Sequence, residues 1–173
     1  MNLRRTLALG AAGLAATAAL GACGFNYPTD RINNITAGVD YREGTVDILN
    51  AVVVAKEANS GTFVATFVNN SQTDTVSLQS MAGDNTAIGQ VTLDQPVAVK
   101  PAGLVNLASK GGIPVNGTFS LGNFVTLSFT FDDGSQATLS VPVVSDDGQW
   151  AGLDISTPAP STSTQTPSAS PSS

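Results

Sequence analysis

Chemistry at a protein site needs side chains that hold a proton, a metal ion or a nucleophilic lone pair, and this chain carries few of them. It has no histidine, one cysteine (Cys23) and two methionines, Met1 and Met81. Without imidazole, the commonest general base and the commonest metal ligand are both missing. No Ser-His-Asp or Cys-His arrangement can be built, and neither can a zinc site of the usual His/Cys kind. Carboxylates remain, paired at Asp132-Asp133 and at Asp146-Asp147-Gly148. A calcium site takes about six to eight oxygens, so two adjacent acids are a weak start, and both pairs read first as turns. Met81, a lone thioether, reads as core filler. No catalytic residue, no metal ligand and no cofactor are expected.

The cysteine is placed for a different chemistry. The chain opens with Arg4 and Arg5, continues through the small and apolar run Thr6 to Leu20, and then reads Leu20-Gly21-Ala22-Cys23. A basic start, an apolar stretch and small residues before a cut make a secretory signal peptide. A spanning helix needs about 20 apolar residues, and this run falls short of that. Its last four residues resemble the lipobox of bacterial lipoproteins, which are cut before a cysteine that then carries lipid. The alternative is a plain secretory signal with a coincidental cysteine. The resemblance implies lipidation at Cys23 and anchoring to the extracytoplasmic face of the cell membrane. One acyl chain, at about 0.8 kcal/mol per buried CH₂, binds only marginally, and lipoproteins with this motif carry two or three. The Ala-rich run also looks like those of high-GC bacteria such as actinobacteria. An acylated Cys23 leaves no thiol for a disulfide or for catalysis.

Cutting before Cys23 leaves roughly 150 residues, enough for one domain with a proper core. The cut removes Arg4 and Arg5, leaving Arg31, Arg42, Lys56, Lys100 and Lys110 against thirteen acidic residues. So acidic a chain suits neither nucleic acid nor an anionic lipid surface, which leaves the lipid to hold it at the membrane.

The elements that must position any site are strands. Residues 23–44, rich in Asn, Pro and Gly, read as a tether, with an edge strand over Val39 to Tyr41 as the alternative. From Thr45 the pattern has period two. Val46, Ile48, Val52 and Val54 are expected on one face, with Asn50 interrupting. Phe63, Ala65 and Phe67 alternate with Val64, Thr66 and Val68, and Val76 and Leu78 share a face. Shorter runs follow at Ala87 to Leu93 and Val97 to Lys100. The clearest hairpin pairs Val125, Leu127, Phe129 and Phe131 with Ala137, Leu139, Val141 and Val143 across Asp132-Asp133-Gly134, a turn whose glycine is free to take positive φ. Pro142 cannot donate to a ladder and is expected at an edge or a bulge. Ala108 to Leu121, with Gly111-Gly112 and Pro114, reads as the main contact loop.

This spacing predicts an all-β fold, an immunoglobulin-like or cupredoxin-like β-sandwich of about seven strands. The expected organisation is a signal peptide over 1–22, lipidated Cys23 and tether over 23–44, the sandwich over 45–145, an exit segment over 146–155 and a tail over 156–173. The tail is built from Ser, Thr, Pro, Ala and Gln, with no charge and no large apolar residue, a composition that cannot offset the entropy of ordering. It reads as a disordered segment or a glycosylated stalk.

Val46 to Val144 resembles the periplasmic copper chaperones of the PCu(A)C type and related actinobacterial lipoproteins. The likeness is carried by Gly61 to Asn70, by Val99-Lys100-Pro101-Ala102-Gly103-Leu104-Val105-Asn106-Leu107, which resembles the family's Lys-Pro-Gly-Gly-Leu-His-Leu-Met stretch, and by the hairpin Val125 to Val143. The resemblance implies a periplasmic β-sandwich that holds copper through two His and two Met. This chain has Val105 and Leu107 where the family has His-x-Met, and neither binds Cu(I). The expected function is thus that of a non-enzymatic, lipid-anchored envelope protein that binds or positions another envelope component, protein or glycan. A divergent copper chaperone is the alternative, and a carboxylate hydrolase stands third.

Overall fold

In the computed structural model, residues 37–84 and 87–157 are described. The expected signal peptide, Cys23, most of the expected tether and the expected tail from residue 158 lie outside the described residues. No helix among the described residues is long and apolar enough to cross a membrane.

The strands are β1 Val39–Tyr41, β2 Val46–Glu57, β3 Ser60–Asn69, β4 Val76–Gly83, β5 Gln90–Val91, β6 Val97–Val99, β7 Leu104–Asn106, β8 Ile113–Asn116, β9 Phe124–Phe131 and β10 Gln136–Ser145. They form one 10-stranded sheet ordered β5-β4-β9-β10-β2-β3-β7, with β1 on β2, β6 on β4 and β8 on β3. Folded on itself, the sheet makes a sandwich. β1, β2, β3, β7 and β8 build one layer, and the other strands build the second. The layers join where β10 runs parallel to β2, pairing Val143 with Val53 and Ser145 with Ala55. On the opposite side the backbones meet at an isolated bridge between Ile88 and Gly117, and the Asn69 side chain of β3 donates to Val99 O of β6 at 2.9 Å. The expected all-β sandwich is present. Its strand number exceeds about seven because short edge strands of two to four residues flank the long ones.

Alternation explains the hairpin directly. Val125, Leu127, Phe129 and Phe131 of β9 and Ala137, Leu139, Val141 and Val143 of β10 are all buried, as the period-two pattern requires. Gly134 closes the turn at φ 82°. Pro142 pairs with Phe124 at the end of the β9 ladder, and the next residue takes up the pairing with β2. The residue with no N–H therefore sits where β10 leaves one partner for the other. Phe63, Phe67, Phe129 and Phe131 fill the middle of the core. The Phe63 and Phe129 centroids are 5.3 Å apart, and Phe67 meets Phe131 edge-on at 6.2 Å.

In β2 the simple alternation fails. Leu49 pairs with Thr66 and Val52 with Val64, so β2 advances three residues while β3 advances two. The extra residue is a β-bulge, and Asn50 takes it at φ 53°, a conformation asparagine tolerates better than most residues. The bulge flips the phase of the strand. Val46 and Ile48 face the main core before it, and Ala51, Val53 and Ala55 do so after it. Val52 and Val54, expected beside Val46, point instead to the outer face with Val64. A second bulge in β4, between Leu78 and Ser80, brings Met81 into line with Val76 and Leu78.

Val39–Tyr41, read as tether with an edge strand as the alternative, is that edge strand, β1, antiparallel to β2. It is fixed by the Asn50 amide donating to Asp40 Oδ1 at 2.7 Å and by the lack of a side chain at Gly38, where a Cβ would lie 2.2 Å from Asn50 Oδ1. The exit segment 146–155 is a strap that covers the outer face. Trp150 and Leu153 pack on Val52, Val54 and Val64. Asp154, only 6% exposed, fastens it, accepting from the Lys56 amide at 2.8 Å, the Thr62 hydroxyl at 3.1 Å and the Ser156 amide at 2.9 Å.

Candidate functional site

The open side of the sandwich is where a site can form. There β6 pairs only with β4, and β7 and β8 pair only with β3, so two sheet edges face each other without joining. Between them lies a cavity of about 390 Å³, walled by Thr92 to Ala98 on one side and by Val105, Leu107, Lys110, Gly112, Ile113 and Pro114 on the other. A neighbouring hollow of about 300 Å³ shares Thr92, Asp94 and Pro114 with it and runs on to Gln90 and Asn116.

Local structure holds the second wall in place. The Leu107 amide donates to Ala65 O at 2.9 Å, and the Lys110 and Gly112 amides both donate to Leu107 O at 2.9 Å. These bonds close a short 3-10 turn, Ala108–Lys110, braced by the Ala108 amide donating to Asn106 Oδ1 at 2.9 Å. Gly112 leaves the turn at φ 69°, and a Cβ there would come within 2.3 Å of Thr62 Cγ2. Glycine is thus required for the chain to lie against β3 and swing Ile113 and Pro114 back into the wall. Leu107 and Ile113 are almost wholly buried, Val105 partly so, and Lys110 is exposed at the rim. The stretch Ala108 to Leu121, expected to be one contact loop, includes strand β8. Only its first part reaches the cavity, because β8 finds a free edge on β3.

The other candidate residues do not converge. Met81 is wholly buried in the core, paired with Phe129 and Val91. Asp132 Oδ1 accepts the Ser77 amide at 2.8 Å, which ties the hairpin turn to β4. Asp133 accepts the Ser135 amide at 2.9 Å and its hydroxyl at 2.6 Å. The Ser135 hydroxyl holds the Asp133 carboxyl below its ordinary value, over the opposing effect of burial. Asp146 belongs to the strap, where it accepts the Leu153 amide at 3.0 Å and lies 3.4 Å from Lys56 Nζ. Burial works against its charge, and the backbone amides of Asp154 and Leu153 with Lys56 outweigh that and lower its pKa. Among the described residues no group of three or more His, Cys, Asp or Glu could hold a metal ion.

Asp154 went unnoticed in the sequence. Its one local signal is a lone acid between Leu153 and Ile155, both apolar, which a loop has no need to bury. Its oxygens are engaged by Lys56, Thr62 and Ser156, so it serves as a fastener. Burial opposes its ionisation, and the hydrogen bonds from Ser156, Lys56 and Thr62 prevail and lower its pKa.

Neither a protein-family model nor a curated protein matches the chain. Solved structures do. The apo PCuAC domain from PmoF1 superposes with a TM-score of 0.53 at 16% identity, covering 62% of this chain and 99% of that one. The fold is that of a PCuAC domain. The copper-bound PCuAC domain from PmoF2 gives a TM-score of 0.52 at 15% identity, over 62% of this chain and 98% of that one. At such identities the likeness speaks for the fold. It agrees with the resemblance drawn from the three sequence segments, and Val105 and Leu107, which stand where that resemblance places His and Met, both line the cavity. Thioether and imidazole, the donors Cu(I) prefers, are absent from that lining. The residues present do not fit a copper site of the family's kind.

Proposed function

We propose that this chain is a lipid-anchored, non-enzymatic envelope protein whose PCuAC-fold domain binds or positions another component of the cell envelope, with the cleft between β6 and β7–β8 as its working surface. One observation carries the reading. The open side of the fold holds an open-mouthed cavity of about 390 Å³, and apolar side chains, Val105 and Leu107, line it at positions where the resemblance calls for copper ligands. A cavity lined without thioether or imidazole suits a ligand other than Cu(I). The anchor is inferred from Leu20-Gly21-Ala22-Cys23 and the basic, apolar lead before it. It puts the domain on the extracytoplasmic side, in keeping with the periplasmic setting of the chaperones that the sequence resembles.

A second reading, a divergent copper carrier, is favoured by the fold it shares with a domain solved with copper bound. Its ligands would have to come from Met81, which is wholly buried, and from carboxylates, of which those of the strap and the hairpin turn are already hydrogen-bonded.

The anchor is tested by expressing the full chain in a bacterial host fed an alkynyl fatty acid. Label and membrane fractionation should both be lost on Cys23→Ser. A chain that stays membrane-bound and labelled after that substitution would end the lipoprotein reading. Photo-crosslinking from Val105 on intact cells then identifies what the cleft meets, and no adduct on the folded wild-type surface would count against the cleft as the working face.

A further inference from the structure

We infer that the cleft binds a small organic monoanion with an apolar body, such as an amphipathic carboxylate, whose charged end lies at Lys110. The inference rests on the reading above that this cleft is a binding surface, and it names the ligand class.

Size and lining set the body of the ligand. A volume of about 390 Å³ falls in the range of small-molecule sites, about 300–1,000 Å³. Leu93, Val97, Val105, Leu107, Ile113 and Pro114 supply apolar wall from both sheets.

Charge sets its polar end. Of the four cations among the described residues, Arg42 is engaged by Asp40 at 3.1 Å and Lys56 by Asp146 at 3.4 Å, while Lys100 is in no ion pair but does not line the cleft. Lys110 lines the cleft and takes part in none of the ion pairs found among the described residues. In a chain with thirteen acidic residues and seven basic ones, a cation at the mouth of a cavity whose wall is part apolar, part polar has an anion as its natural complement. Asp94 also lines the cavity. With one cation and one carboxylate in the lining, a single negative charge finds a partner and a second meets repulsion. Nucleotides and polyphosphates are disfavoured for that reason.

An extended peptide adding to the open edges is the rival occupant. Pro96 stands just before β6 and Pro114 lies within β8, so an incoming strand loses donors on both sides of the cleft. Edge prolines are a usual device against strand addition. These edges are blunted, and the space between them suits a small molecule.

The test uses anilinonaphthalene sulfonate, an apolar aromatic monoanion, and N-phenylnaphthylamine, its uncharged counterpart, titrated by fluorescence into residues 24–173. Every buried residue of the described structure lies between Gly38 and Asp154, inside that chain, so the whole core is present. The sulfonate should bind saturably at one site. Lys110→Met, at an exposed position, should weaken it about fivefold to tenfold and leave the neutral dye within about twofold. Ala98→Trp, an exposed substitution on the cleft wall, should abolish both. Absent saturable binding, equal weakening of both dyes by Lys110→Met, or indifference to Ala98→Trp would each overturn the inference. Tight Cu(I) binding by the same chain would instead overturn the reading beneath it, so the two failures are told apart.

Discussion

Replacing Asp154 with Ala tests the strap, the part of the domain that composition gave least reason to expect. The carboxylate accepts the Lys56 amide at 2.8 Å and the Thr62 hydroxyl at 3.1 Å, at a site 6% exposed. Hydrogen bonds to a charged group contribute about 1.5–3 kcal/mol each, and a buried donor left without a partner costs about 1–3 kcal/mol. Some of that is recovered. The Thr62 hydroxyl still accepts the Ile155 amide at 2.9 Å, and Ser156, next to the end of the strap, can turn to water. A net loss of about 2–4 kcal/mol follows, large against the usual total of about 5–15 kcal/mol. Trp150, the single tryptophan, sits in the strap, so urea unfolding followed by its emission and by far-UV circular dichroism reads strap and sandwich separately. In the wild type the two transitions should coincide. In Asp154→Ala the emission should shift first, as the strap leaves Val52, Val54 and Val64. The pH dependence has a definite sign. Asp146 and Asp154 both have lowered pKa values in the folded state, so the stability they add is present above the unfolded value of 3.8 and fades as pH falls through the folded values. Asp154→Asn should flatten that acid loss. A change below about 0.5 kcal/mol in Asp154→Ala, within the range of ordinary surface substitutions, with an unchanged emission transition, would refute the strap as a structural layer.

Further outcomes follow from the core and from the entry strand. Gly38→Ala drives a Cβ to 2.2 Å from Asn50 Oδ1 and should cost about 1–3 kcal/mol by overpacking, with faster amide exchange confined to Val39–Tyr41 and its β2 partners. Phe129→Ala removes the ring that meets both Phe63 and Phe67 and should cost about 3–5 kcal/mol in thermal or urea unfolding.

How much of this was legible depended on the strand. The β9–β10 hairpin was fully readable, because Val125 to Phe131 and Ala137 to Val143 alternate without interruption and Asp132-Asp133-Gly134 marks the turn. β2 was readable as a strand but not as a surface. A single residue at positive φ, Asn50, shifts the phase, and nothing in Val52-Val53-Val54 reveals which face each valine takes. Of the short edge strands, β1, β5 and β6 fall where an edge strand or a short run was expected, while β7 and β8 escaped notice because three or four residues carry no clear period. The cleft escaped for a related reason. Its walls come from β6, β7, β8 and the turns beside them, brought together by pairing with distant strands. The positions Val105 and Leu107 were singled out by family likeness alone, and the fold then placed them in one cavity. In the strap, Trp150, Leu153 and Asp154 are scattered among turn residues, and only the bare outer face of β2 and β3 gives them something to cover.

The most direct measurement is Cu(I) binding by residues 24–173 in competition with a calibrated chelator. With Val105 and Leu107 in the cleft, no histidine, and Met81 wholly buried, the chain should leave the chelator's copper in place at equimolar protein. Tight one-to-one binding that is lost on Met81→Ala would contradict the account and make this domain a copper carrier with a new ligand set.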